Sequence, residues 1–175
     1  MTSRSKKKPA DKPAPNNRPA NEFKIELLNA AQKMAWNGFQ THDVLFLLGA
    51  AGSGKTHLAT AFAVQSILSK QKERIVLTRP IVEAGEHLGF LPGTADEKIA
   101  PYMMPIYHCL DKMVGAEGPL KERILNKTKV VPIAYMRGMT FDDSICIFDE
   151  AQNATKSQLK LFLTRFGKNS KIIIT

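Results

Sequence analysis

Gly49-Ala50-Ala51-Gly52-Ser53-Gly54-Lys55-Thr56 decides the fold. The stretch reads G-x-x-x-x-G-K-T, the pattern of a loop that wraps an anion. Glycines tolerate positive φ and let oxygens approach the backbone N–H groups. A helix that starts at such a loop turns its positive end toward the anion. Lys55 is placed to reach β- and γ-phosphates, and the Thr56 hydroxyl to ligate Mg²⁺. The pattern carries weight only between a strand and a helix, and both are present. Residues 43–48 form a short apolar run of buried-strand type, and residues 55–69 are rich in Ala, Leu, Phe, Val and Ile at helical spacing. The predicted nucleotide-contacting set is Gly49, Ala50, Ala51, Gly52, Ser53, Gly54, Lys55 and Thr56, with His57 directly after them.

Outward from the loop, strands and helices alternate. Asn21 is a candidate cap for a helix over 22–37, with Phe23, Leu27, Ala30, Ala31 and Met34 as its apolar stripe and Gly38 as its stop. Arg74–Thr78 reads as a second strand, closed by Arg79-Pro80. Gly85, Gly89 and Pro92-Gly93 mark a long loop. Thr94-Ala95-Asp96-Glu97 reads as a capping box, opening a helix that Pro101 and Pro105 should break or kink. Pro119 starts a short helix, and residues 130–133 read as a short peripheral strand. Residues 144–149 are a buried strand ending in acid. Thr155 to Gln158 is another capping-box start, for a helix that Gly167 should end, and residues 171–175 are a last strand. This alternation implies an α/β fold, with a parallel sheet covered by helices on both faces.

Composition sets the bounds. The chain has 175 residues, with 43% hydrophobic and 23% charged, ordinary proportions for one globular domain. Its two cysteines, Cys109 and Cys146, are far apart and form no CxxC. That argues against a disulfide framework or zinc site and fits a reducing, cytoplasmic setting with buried, inert thiols. No apolar run approaches the roughly 18 residues of a membrane span. Of the net charge of +9, residues 1–20 supply +5, from Arg4, Lys6, Lys7, Lys8, Lys12 and Arg18 against Asp11. With prolines at 9, 13, 15 and 19, this leader is expected to be disordered, as a solubilising segment or a basic arm for nucleic-acid phosphate. The predicted folded domain then covers residues 21–175.

Asp149 and Glu150 complete the candidate site. In open parallel sheets, ligands bind at the carboxyl ends of the strands, and Asp149 lies at such an end. It is the expected magnesium-side acid, partnered by Thr56 and phosphate oxygens. Glu150 can orient and deprotonate a water for in-line attack on a γ-phosphate. GTP-binding switch proteins carry Asp-x-x-Gly here and a later Asn-Lys-x-Asp. This chain has Asp149-Glu150-Ala151-Gln152, and its Asn126-Lys127 is followed by Thr128-Lys129. ATP is therefore expected over GTP, and hydrolysis over transfer to a metabolite.

The stretch Asp149-Glu150-Ala151-Gln152-Asn153 resembles motif II of superfamily 1 helicases, and more closely the PhoH-like family of phosphate-starvation-type ATPases. Residues 77–93 resemble that family's T-R-P-x-V-x-x-G-E-x-L-G-F-L-P-G signature. Pro101-Tyr102 with Pro105-Ile106-Tyr107 resembles its P-Y-x-x-P-x-Y element, and residues 133–140 resemble its A-Y-M-R-G-x-T stretch. The matches span about residues 22–175.

The resemblance implies a three-layer, RecA-like P-loop core whose last strand lies between the phosphate-loop strand and the Asp149 strand. It implies Mg²⁺-dependent ATP hydrolysis coupled to single-stranded nucleic acid, RNA more than DNA, in a homo-oligomer such as a hexameric ring. Lys55, Glu150 and Gln152 would be catalytic, Gln152 by sensing the γ-phosphate. Gln32, 17 residues before Gly49, would read adenine, with Trp36 and Phe39 in the core rather than beside the base. Thr78, Arg79 and Arg137 would lie near the nucleic-acid path or a subunit interface. The family continues past the last strand with a G-D-x-x-Q sensor, so the domain is expected to be incomplete at Thr175. The alternative is a nucleotide-dependent RNA-binding or assembly module without significant turnover.

Overall fold

A computed structural model describes residues 23–80, 95–115 and 117–175. The expected leader over 1–20, the Asn21 cap, the signature stretch over 81–93 and the Thr94 capping box lie outside the described residues. Within them the elements run α1 (Ala30–Thr41), β1 (Val44–Phe46), α2 (Lys55–Leu68), β2 (Arg74–Thr78), α3 (Ala95–Val114), α4 (Pro119–Asn126), β3 (Thr128–Val130), β4 (Ser144–Phe148), α5 (Lys156–Leu163) and β5 (Lys171–Ile174). Short 3₁₀ turns at Ile133–Met136 and Ala151–Asn153 flank β4.

All strand pairings are parallel, in the order β1-β5-β4-β2-β3. The last strand in sequence is therefore interior, between the strand that feeds the phosphate loop and the strand that ends at Asp149. Side chains alternate across the sheet and build two cores. Ile75, Leu77, Ile145, Ile147 and Ile173 face α1, α2, α3 and α4, where Phe39, Phe62, Ile67, Ile106 and Ile124 meet them. Val76, Cys146, Phe148, Ile172 and Ile174 face the other way, against Phe162 of α5 and Ile133 and Met136 of the 3₁₀ turn. The result is the three-layer α/β architecture expected, with helical cover on both faces. Each fully buried Ile or Phe contributes about 1.5–3 kcal/mol relative to an exposed one, so both faces resist opening.

Several boundaries differ from expectation. The first helix begins at Ala30, not Glu22. Asn29 has extended backbone angles, and its side chain accepts a 2.9 Å bond from the Gln32 N–H, an N-cap geometry. Ahead of it the burial alternates, with Phe23, Ile25 and Leu27 packed on the core and Lys24, Glu26 and Leu28 exposed. That period of two belongs to extended chain. Phe23 and Leu27 fit a helical spacing as well, and Ile25 between them decides the matter. Gly38 does not end the helix, which continues to Thr41. Its inward side carries Ala35, Trp36 and Phe39, while Met34 is 72% exposed.

β1 is shorter than the apolar run and is an edge strand rather than a buried one, with Val44 and Phe46 exposed. β3 also starts and stops early. Val131 still donates to the Leu77 carbonyl at 2.9 Å, but Pro132 has no N–H, and the chain turns into a 3₁₀ helix. The expected peripheral position holds, since β3 forms the opposite edge. α3 runs through Pro101 and Pro105 without a break. α5 ends at Leu163, four residues before Gly167. Gly167 serves a different purpose: a Cβ there would lie 2.5 Å from the Phe141 carbonyl oxygen and 2.3 Å from Asp142 Oδ1. The Thr155 capping box forms as read, with Gln158 N donating to the Thr155 hydroxyl and Thr155 N to the Gln158 side chain.

Candidate nucleotide site

The strand order brings the carboxyl ends of β1, β5, β4 and β2 to one edge, and the candidate residues gather there. The loop leaves β1, and Gly52 and Gly54 take φ of 75° and 85°. Open space surrounds the position of a Cβ at either glycine, so the left-handed backbone, not crowding, is what requires glycine. Gly54 caps α2 with no side-chain bond, leaving the first N–H groups of that helix to the loop. The Lys55 ammonium donates to the carbonyls of Gly49 at 2.9 Å and Ala50 at 3.0 Å, which holds it over its own loop.

Thr56 and Asp149 come together from 93 residues apart: the Thr56 hydroxyl donates to Asp149 Oδ1 at 2.6 Å. Asp149 is 1% exposed. Burying a carboxylate without partners is costly, and this one is well supplied. Its Oδ1 also accepts from the Thr175 hydroxyl at 2.6 Å, and its Oδ2 faces an Arg79 guanidinium nitrogen at 3.8 Å. Glu150 Oε1 faces Arg79 at 3.6 Å, and Glu150 Oε2 accepts from the Gln152 amide. Glu150 has φ 56° and ψ 40°, a left-handed conformation that a non-glycine residue adopts at a cost of about 1–2 kcal/mol. Parallel pairing with β5 and the bond from Ala151 N to the Thr175 carbonyl at 2.9 Å hold it there.

Two clefts open at this edge. One of about 600 Å³ is lined by the loop together with Thr56, His57, Cys109, Glu150, Gln152 and Thr175. The other, about 500 Å³ and mostly apolar, lies between α1 and the loop, with Gln32, Met34, Phe46, Leu48 and Leu58 in its wall. Gln32 is half-buried, and its Oε1 accepts from Leu28 N at 2.7 Å, while among the described residues its amide N–H₂ makes no such bond. Trp36 and Phe39 are in the core, their rings 5.0 and 5.1 Å from Phe62. Arg137 is exposed at the end of a 3₁₀ turn and lines neither cleft. Thr78 is 1% exposed at the end of β2, and its hydroxyl is the buried side-chain polar atom without a partner among the described residues.

Burial, with the charge of Lys112 behind it, lowers the pKa of His57 and favours a neutral ring beside the loop. Burial raises the Cys109 thiol, and Asp149 adds to the effect. Cys109 is half-buried in the cleft wall and Cys146 is fully buried. Among the described residues no group of three or more His, Cys, Asp or Glu side chains could hold a metal ion. Thr56 and Asp149 instead offer a small set of hard oxygens, which suits Mg²⁺ with substrate oxygens and water completing its shell. Thr175 and Cys109 are the site residues that motif reading misses. The signal for Thr175 was available: a last strand placed beside Asp149 must end at the same edge.

Known proteins resemble this chain over most of its length. The family model described as PhoH-like protein matches residues 24–175. The chain is 49% identical over 144 residues to a PhoH-like protein of Mycobacterium tuberculosis, covering 82% of this chain and 41% of that one. A PhoH-like protein of Bacillus subtilis is 45% identical over 153 residues, covering 86% and 47%. The protein PhoH of Escherichia coli K12 is 42% identical over 149 residues, covering 83% and 42%. The chain thus spans under half the length of the curated relatives it matches.

Proposed function

The chain belongs to the PhoH-like protein family, and we propose that it binds Mg²⁺-ATP and hydrolyses it in concert with single-stranded nucleic acid, RNA in the first place. The observation that carries this reading is the Thr56–Asp149 bond, which joins a phosphate-loop hydroxyl in the cleft wall to a buried carboxylate behind it. Thr56 and Asp149 are the residues to hold Mg²⁺, which when bound neutralises charge on the phosphates. The backbone N–H groups over 49–56 and the start of α2 receive the phosphates, and Lys55 exchanges its two carbonyl partners for phosphate oxygen. The apolar cleft beside Gln32 suits a base, with the Gln32 amide available as a donor. Glu150 takes the proton from an attacking water, and Gln152, already bonded to it, reports on the γ-phosphate.

Thr78, Arg79 and Arg137 are assigned here to the nucleic-acid path or a subunit interface. Arg137 supports this by its exposure, whereas Arg79 is turned toward the carboxylates of Asp149 and Glu150 and Thr78 is buried. The basic leader over 1–20 adds non-specific attraction to phosphate. A homo-oligomer, a hexameric ring in its simplest form, would let a neighbour's arginine complete the site. Among the described residues no helix is long and apolar enough to cross a membrane, and a cytoplasmic setting is proposed with the rest.

One observation favours the second reading, a nucleotide-dependent RNA-binding module with little turnover: both oxygens of Glu150 are engaged, by Arg79 and by Gln152. Equilibrium binding of ATP and GTP, each with Mg²⁺ and with EDTA, tests the shared premise. Tighter binding of ATP than GTP, strengthened by Mg²⁺, is expected. Indifference to both nucleotide and metal contradicts it. Steady turnover on adding single-stranded RNA then separates the enzyme from the module.

A further inference from the structure

Asp149 has two hydroxyl donors on one oxygen, and they come from different elements: Thr56 from the start of α2 and Thr175 from the end of β5, each at 2.6 Å from Oδ1. The terminal torsion of an aspartate is soft, with a broad two-fold profile. One donor leaves the carboxylate free to turn about it, whereas two donors from separate elements fix its plane. Thr175 is itself well placed to act as a fixed point. It is 7% exposed, its N–H donates to the Phe148 carbonyl at 3.0 Å, and its carbonyl accepts from Ala151 N at 2.9 Å. These two bonds bracket Asp149 and Glu150 on either side. Thr175 also lines the same cleft as Lys55, Thr56 and Glu150.

We propose that Thr175 is a positioning residue for the metal-side carboxylate. Its hydroxyl fixes Asp149 so that Oδ1 serves Thr56 and Oδ2 stays available on the side that faces Arg79, and it thereby sets the affinity for Mg²⁺. The inference rests on the reading of the site as one for Mg²⁺-ATP. Without the Thr175 donor, Asp149 Oδ1 keeps Thr56 alone, and the carboxylate turns toward Arg79. Thr56 then follows the carboxylate, because its hydroxyl proton is committed to Oδ1. Both hard-oxygen groups leave their places, while the backbone of the phosphate loop over 49–55 keeps its shape.

The test is a Mg²⁺ titration of fluorescent ATP-analogue binding to the wild-type chain, Thr175→Val and Thr175→Ser, with a parallel measurement in EDTA. Removing a group that orients a metal ligand typically lowers metal affinity on the order of 10–100-fold. Thr175→Val is expected to move the Mg²⁺ midpoint upward by at least about tenfold, with Thr175→Ser close to wild type and all three equal in EDTA. An unmoved midpoint in Thr175→Val overturns the inference. So does an equal loss with and without Mg²⁺, which would make Thr175 a general structural residue. A wild-type chain that binds the analogue with no Mg²⁺ dependence overturns the Mg²⁺-ATP reading itself, and the positioning role with it.

Discussion

The Thr56 hydroxyl and Asp149 Oδ1 lie 2.6 Å apart, although 93 residues separate them in sequence. The parallel sheet makes this possible. β1 delivers the phosphate loop, β4 delivers the acid, and β5 between them sets the spacing of the two. Interchanging β5 and β4 in the sheet would separate these groups by a different distance, so topology and site are one fact.

Glu150 is where local backbone and chemistry conflict. Its left-handed conformation suits glycine, yet its side chain is the proposed base. Glu150→Gly should leave the fold intact or stabilise it by up to about 1 kcal/mol, while reducing turnover on the order of 10²–10⁴-fold. Urea unfolding and phosphate release on the same preparation check both halves. A clear loss of stability would contradict the strain argument.

Gly167 tests the packing of the loop before β5 against the chain before β4. Gly167→Ala would drive a Cβ to within 2.6 Å of three atoms of Phe141 and Asp142, two of them backbone. A loss of about 1–3 kcal/mol or more is expected in chemical denaturation. A neutral result would mean that the Phe141 segment gives way freely.

Cys146 supplies a pH dependence. Burial in the core pushes its thiol up to about 12, from an ordinary value of 9.0. Between those values the unfolded chain releases a proton that the folded chain keeps. The contribution is therefore complete below pH 9.0 and is lost as pH rises toward about 12, by up to about 1.4 kcal/mol per pH unit. Denaturation midpoints of wild type and Cys146→Val from pH 8 upward should diverge, the wild type falling faster. Parallel curves would contradict this.

The sheet was legible, and the residues of the candidate site were seen to converge, because both rest on strong local signals. Residues 75–77 and 145–148 are continuous apolar runs with clear ends, and Gly52 and Gly54 are needed by the backbone they adopt. The family resemblance supplied the strand order that local signals lack. What failed failed for stated physical reasons. Phe23 and Leu27 fit two periods at once. Gly38 was tolerated inside a helix, and Gly167 was selected by a tertiary contact that sequence spacing does not reveal. The Thr175–Asp149 bond depends on two strands being neighbours, so no linear motif contains it.

The central claim is that residues 49–56 and the Asp149-Glu150 pair form one hydrolytic site. Phosphate release by wild type, Lys55→Ala and Glu150→Gln, with and without single-stranded RNA, tests it most directly. Release by the wild type with RNA present is predicted, falling on the order of 10²-fold or more in each variant, with ATP binding kept by Glu150→Gln. Equal release by all three proteins would contradict it.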